Sequence, residues 1–220
     1  MRSVMSAANP AALEVGHLAQ RLAEGYFAHL AALAVAADPR ADELVPPIDP
    51  LRRSERTAEI VFGEQVPTAG IVRHKDGSEH IFSMRMFFER ARKDPFVKAE
   101  LERVWFTGAL LTLGDALSKH GYFDRVPELE FVRHLRNGIA HGNRLRIDYP
   151  DSLQNYPAHT KSSFGAKTNP TFQTFEISPA VNGQPVLFDF MAAGDVLSLL
   201  TSVSQHLIAL GNGVQPFWQR

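Results

Sequence analysis

The sequence predicts a mainly α-helical bundle of four or five helices with two short β-hairpin inserts. Three observations lead there. Apolar residues recur at spacings of three and four along several long segments, the pattern of a helix buried on one side. Two other stretches are short, rich in β-branched and aromatic residues, and gathered around turn sequences. No internal repeat or low-complexity tract interrupts them. A chain of 220 residues with 45% apolar composition has room for one substantial core, so residues 1–220 are read as a single domain.

The first helix is expected over 11–37. Leu18, Leu22, Tyr26, Leu30 and Leu33 make its stripe, and Asn9-Pro10 supplies a cap and a first-turn proline. Its end, LAALAVAA, is too short to span a bilayer and lies behind acidic residues without a basic leader. The proline-rich ADELVPPIDPLRR then reads as a linker. Residues 57–84 are expected to hold the first hairpin insert, with TAEIVF, AGIVRH and HIFSM as strands and Lys75-Asp76-Gly77-Ser78 as the tight turn. A short helix follows over 84–93. A long one runs from Phe96 to His120, with Val97, Leu101, Val104 and Leu111 as its buried line.

Pro127 opens the next helix. Residues 150–170 read as an exposed loop. The second hairpin is expected over 170–190, PTFQTFEIS and QPVLFDF flanking Asn182-Gly183. The last helix, 192–211, aligns Val196, Leu199, Leu200, Val203, Leu207 and Leu210 and stops at Gly211.

Composition narrows function. The net charge of -1 argues against a generally basic nucleic-acid binder, so an anionic partner requires a local patch. The absence of cysteine removes disulfides, thiolate metal sites and cysteine nucleophiles, and fits the reducing cytoplasm. The histidines are scattered without a metal-ligand pair; His74 and His80, flanking the first hairpin, read as exposed. No phosphate-binding glycine loop and no serine-hydrolase signature occurs. Trp105, Phe106, Tyr122 and Phe123 read as core or interface residues rather than base-stacking platforms.

One stretch departs from the neutral average. FVRHLRNGIAHGNRLR, residues 131–146, holds four arginines and two histidines and no acid. On a wheel at about 100° per residue, Phe131, Val132, Leu135, Ile139 and Leu145 fall on one arc with Gly138 and Gly142. Arg133, Arg136, Asn137, His141 and Arg144 fall on the other. Arg136 and His141 stand about 140° apart on that wheel, so one phosphate held by both requires a distorted helix or a second copy. The chemistry suits RNA cleavage. An imidazole moves protons near neutral pH, a guanidinium binds phosphate oxygens, and an amide orients either. The same residues also fit a solvated face paired with acids elsewhere in the fold.

Arg136-Asn137-Gly138-Ile139-Ala140-His141 resembles the Arg-polar-x(3)-His motif of the HEPN family, and Gly142 is a common companion. The resemblance implies a HEPN-like helical bundle acting as a dimeric, metal-independent endoribonuclease of toxin or defence type, without a cofactor. It implies Arg136 and His141 as the catalytic pair, with Asn137 in support, at a homodimer interface. Arg133, His134, Arg144 and Arg146 are the expected RNA-binding residues. An antitoxin or other regulatory partner is expected, and no membrane. The family branch paired with nucleotidyltransferase antitoxins has a tyrosine two residues past the histidine; Asn143 stands there. Some members are non-catalytic, so a module binding RNA, nucleotide or protein is the alternative.

Overall fold

The structure, a computed structural model, describes residues 8–44, 69–155, 162–163 and 174–214. The expected strand TAEIVF and most of the proline-rich linker lie outside them. The chain is mainly helical. Six helices are described: α1 (Pro10–Ala37), α2 (Ala41–Leu44), α3 (Met84–Lys93), α4 (Pro95–Lys119), α5 (Pro127–Ala140) and α6 (Ala193–Gly211). Four strands form two antiparallel pairs: β1 (Ala69–Arg73) with β2 (Glu79–Ser83), and β3 (Ser162–Ser163) with β4 (Thr174–Phe175). The chain divides into two compact units, residues 28–101 and residues 1–27 with 102–220.

The 28–101 unit contains the first hairpin. Ile71 pairs with Ile81 and Arg73 with Glu79. Its turn is closed by His74 N–H donating to the Ser78 carbonyl at 2.7 Å, with Gly77 at φ 86° where a side chain would be strained. The Asp76 carboxylate accepts from Ser78 N–H and Oγ–H. Ser83 then caps α3, its Oγ accepting from Met86 N–H. The His74 and His80 rings meet edge-on, centroids 6.4 Å apart.

In the other unit, the residues of α1 that are fully buried are Ala12, Val15, Ala19, Ala23 and Tyr26. Of the expected leucine stripe only Tyr26 is fully buried; Leu18, Leu22, Leu30 and Leu33 are half-buried. Near the start of α1, up to Leu22, the reason is the closeness of α6. A Cβ on Gly16 would stand 2.9 Å from Ile208 Cγ1, and one on Gly211 would stand 2.5 Å from Leu13 Cγ. Backbones that near admit only small residues between them, and the leucines are displaced to the flanks.

The buried line of α4 also differs from the expected one. It is Phe106, Ala109, Leu110, Leu113, Gly114 and Leu117, whereas Val104 is 68% exposed. Two overlapping apolar stripes are present on this helix, and the core takes the later one. Of the expected line of α6, Val196, Leu199, Leu200, Val203 and Leu207 are buried, and Leu210 is half-buried. Its 19 residues are long and apolar enough to cross a membrane by composition, yet this face packs within the unit.

The second hairpin does not form as expected. Among the described residues, β4 pairs with Ser162–Ser163, Ser163 opposite Thr174. The segment after Asn182-Gly183 instead joins the chain that follows α5: Gly183 N–H donates to the Leu145 carbonyl at 2.7 Å, and Leu145 N–H to that of Gln184 at 2.9 Å. Those hydrogen-bonding groups are then no longer free for the 170s. Gly183 still makes a turn at φ 81°. Phe131, Phe175 and Phe190 cluster at centroid separations of 5.4–6.3 Å, which fastens β4 to α5.

Replacing Gly16 with valine is expected to lower the stability by about 1–3 kcal/mol. Urea unfolding of the two proteins measures it; an unchanged midpoint would show that α1 and α6 are not in close contact.

Candidate active site

Helix α5 positions most of the candidate residues. It opens at Val126, whose extended backbone precedes Pro127 at the first helical position. Glu128 and Glu130 in its first turn favour the positive end of the helix dipole. The Glu130 side chain is completely buried and accepts from Arg125 Nη1 at 3.1 Å and from Arg133 Nε at 2.8 Å. Behind it, Asp124 accepts from His206 Nε2 of α6 at 3.0 Å. Arg125 sits at φ 53°, a left-handed conformation uncommon for a residue other than glycine, and its guanidinium donates to Glu130.

The helix ends earlier than the apolar pattern predicts. The expected wheel runs to residue 146, but α5 stops at Ala140, with His141 as its cap. Gly142 at φ 85° and Asn143 at φ 62° turn the chain out, and Arg144 N–H donates back to the Gly138 carbonyl at 2.9 Å. Asn143 then mimics a strand partner: its Oδ1 accepts from Leu187 N–H at 3.0 Å while its own carbonyl accepts from Val186 N–H at 2.9 Å. The two glycines therefore have separate causes. Gly142 supplies the left-handed turn, and Gly138 admits the returning chain, since a Cβ there would stand 2.6 Å from Val186 Cγ2. Beyond the turn the chain is extended: Leu145 and Ile147 are buried while Arg144, Arg146 and Asp148 are exposed. The alternation in Arg144-Leu145-Arg146-Ile147-Asp148 is the period-two signal that a helical wheel conceals.

The expected site residues separate into two groups. Arg136 lays its stem over Gly114 of α4, where a Cβ would stand 2.5 Å from Arg136 Cγ. Its Nε and Nη2 donate to Asp115 Oδ1 at 2.9 and 2.7 Å, and its Nη1 to Asn137 Oδ1 at 3.4 Å. His141 is exposed at the helix end. Arg144 turns away and donates to the Gly183 carbonyl at 2.7 Å. The second group, Arg133, His134, Asn137 and Arg146, lines one pocket of ≈ 270 Å³ with Asp148 and Tyr149. Asp148 and Tyr149 were not anticipated, though Asp148 ends the alternating segment just named. Arg136 and His141 are not among the residues that line this pocket.

Most of the positive charge is matched. Arg133 meets Glu130, Arg136 meets Asp115, and Arg146 Nε meets Asp148 Oδ1 at 2.9 Å. Glu130, Asp115 and Asp148 lie outside the sixteen-residue stretch, which is why it reads as uncompensated. His134 is a special case. Arg133 Nη2 lies 3.1 Å from its Nε2, and an arginine only donates, so Nε2 accepts and Nδ1 carries the proton. Burial, together with the Arg133 charge, holds its pKa down to about 4, so it is neutral at pH 7. Glu128 departs the other way. Its Oε2 is buried without a hydrogen-bond partner among the described residues. Burial, with a contribution from the Asp124 charge, pushes its pKa up to about 7. Among the described residues no group of three or more His, Asp or Glu side chains is arranged to hold a metal ion.

Comparison with protein-family models, curated proteins and solved structures finds no match to this chain.

Glu128 and His134 give opposing pH dependences. Glu128 binds its proton more tightly folded than unfolded, so stability falls as pH rises from 4.5 towards about 7. Integrated over that interval the loss is about 3 kcal/mol. His134 releases its proton on folding, so its contribution rises with pH from about 4 to 6.5. Glu128→Gln is expected to raise stability at pH 8 and to leave a curve that climbs from pH 4.5 to 6.5. Urea unfolding at stepped pH reads this; a variant that tracks the wild type would exclude a buried protonated Glu128.

Proposed function

We propose that this protein is a metal-independent endoribonuclease of HEPN type, acting through a composite site in a homodimer. The observation that carries the reading is the arrangement at the end of α5: Arg136 and Asn137 are hydrogen-bonded and partly exposed, and an exposed His141 caps the same helix. The Arg136–Asp115 ion pair is itself accessible, with side chains 35% and 57% exposed. Such a pair contributes about 0–1 kcal/mol, so an RNA phosphate competes with Asp115 at small cost. Until then Asp115 and the Gly114 groove hold the guanidinium in one direction.

In this reading His141 takes the proton of a ribose 2′-hydroxyl. The 2′-oxygen forms its bond to phosphorus, and the bond from phosphorus to the 5′-oxygen breaks. The proton delivered to that leaving oxygen comes from the His141 of the second copy. The products are a 2′,3′-cyclic phosphate and a 5′-hydroxyl. Arg136 stabilises the charge gathering on the phosphoryl oxygens, and Asn137 keeps Arg136 in place. Arg133, His134 and Arg146 serve RNA binding in the adjoining pocket. Arg144, engaged with the Gly183 carbonyl, is assigned instead to holding the turn.

A second reading is a non-catalytic binding module. The Arg136–Asp115 pair favours it, because a guanidinium already neutralised needs no phosphate.

Purified protein incubated with mixed RNAs separates the two. The nuclease yields cyclic-phosphate ends in the presence of EDTA. Arg136→Ala and His141→Ala each lower the rate by about a hundredfold or more, with the thermal melt unchanged. Intact RNA that only shifts in a gel, or full cleavage by His141→Ala, would establish the module instead.

A further inference from the structure

The pocket beside α5 has a lining that phosphate binding does not explain. Its walls are Arg133, His134 and Asn137 from the helix and Arg146, Asp148 and Tyr149 from the extended segment after it; Ile147 and Leu153 add apolar surface. A phosphate site has no use for the Asp148 carboxylate, which repels an anion at close range. A neutral ring with donors on one edge and acceptors on another does.

The available hydrogen-bonding groups can be read one by one. Asp148 Oδ1 accepts from Arg146 Nε at 2.9 Å. That geometry keeps the carboxylate half-exposed, at 50%, and leaves Oδ2 without a hydrogen-bond partner among the described residues. Asn137 Oδ1 is occupied by Arg136, so its amide NH₂ remains to donate. His134 has Nε2 engaged by Arg133 and offers its Nδ1–H. Arg146 keeps its terminal N–H groups for an acceptor. Tyr149, 78% exposed, places an aromatic ring among the lining residues. The pocket thus holds one carboxylate acceptor, several donors and an aromatic ring. At ≈ 270 Å³ it stands at the lower end of small-molecule sites, which run to roughly 300–1,000 Å³, and has room for a base rather than a whole nucleotide.

We infer that this pocket takes a guanine base. Guanine alone among the four bases offers two adjacent donors, N1–H and N2–H, to a carboxylate and two adjacent acceptors, O6 and N7, to an arginine or amide. Adenine turns an unprotonated N1 towards Asp148. Uracil flanks its single N–H with two carbonyls, and cytosine offers only its amino group beside a bare N3. Asp148 accepts from the guanine N1–H and N2–H, while Arg146 and Asn137 donate to O6 and N7. Tyr149 stacks on the ring. The inference deepens the ribonuclease reading and rests on it for the source of the base, an unpaired guanine in RNA; a free guanine nucleotide presents the same chemistry.

Calorimetric titration of the full chain with 5′-GMP, 5′-AMP, 5′-UMP and 5′-CMP tests it. GMP is expected to bind about five- to 150-fold tighter than the rest, since one well-formed bidentate pair discriminates by about 1–3 kcal/mol. Asp148→Asn is expected to remove that preference, and Tyr149→Ala to weaken all four alike. Arg146→Gln serves as a second specificity variant if Asp148→Asn melts early. Equal affinity for the four nucleotides, or a preference untouched in both specificity variants, overturns the inference. Uncleavable 2′-O-methyl oligonucleotides, all-adenine or with one guanine, then distinguish the sources. Tighter binding of the guanine oligonucleotide supports an RNA-borne base. Preference for GMP without it assigns the pocket to a free nucleotide and removes its support for the nuclease. A guanine preference in a protein that cleaves no RNA keeps the pocket and discards the nuclease.

Discussion

The turn that ends α5 fixes everything around the candidate site. Its central element is the Gly138 carbonyl, which accepts from Arg144 N–H at 2.9 Å instead of from a further helical turn. A longer helix would carry Arg144 and Arg146 around its axis. The reversal instead lays the chain out flat, where Leu145 and Ile147 enter the core and Arg146 and Asp148 remain in solvent. Backbone pairing with 183–187 and the amide of Asn182, which accepts from Ile147 N–H at 2.9 Å, secure the extended segment. The pocket is the space between this segment and the polar side of the helix it has just left.

Charge follows from the same layout. A stretch that is uniformly basic in sequence becomes a set of pairs in space, each with a different degree of exposure. The Glu130 carboxylate, wholly buried, holds Arg133 and Arg125; removing it would strand one largely buried guanidinium without its counter-charge. Arg136 and Arg146 meet acids at the surface, where water screens both partners and exchange is easy. The buried pair is thus structural, and the exposed pairs are those a ligand can enter. His134 links the two kinds, since the arginine clasped by Glu130 also fixes its tautomer.

How far the sequence revealed this depended on the range of the interaction. The helices were legible because period and caps are local: Pro127, the α6 stripe and the Lys75–Ser78 turn all lie where their neighbours place them. The stripe of α1 differs because small residues bring its start close to α6, and that of α4 because two apolar stripes overlap on one helix. Ala12, Ala19 and Ala23 lie in the core while Leu18 and Leu22 lie at its edge. The second hairpin was misread because Asn182-Gly183 marks a turn without naming its partner, which lies near Leu145. Of the site, the residue types were legible and their grouping was not. Asp115 and Asp148 lie on either side of the basic stretch in sequence and only folding brings them to it.

His141 stands at the one position where helix and turn meet. As the cap, its N–H bonds back into the helix, at 3.1 Å to the Asn137 carbonyl. The next residue is already left-handed. A histidine one position earlier would belong to the helical wheel, and one later would replace the glycine that permits the turn. At this position its backbone is held while its ring is exposed. The proposed proton transfer to and from a phosphodiester needs both conditions, a fixed origin and an open approach. Asn137 adds a connection, for its carbonyl anchors the His141 backbone while its side chain holds Arg136. One residue thus connects the His141 backbone with the Arg136 guanidinium, although neither side chain lines the pocket beside α5.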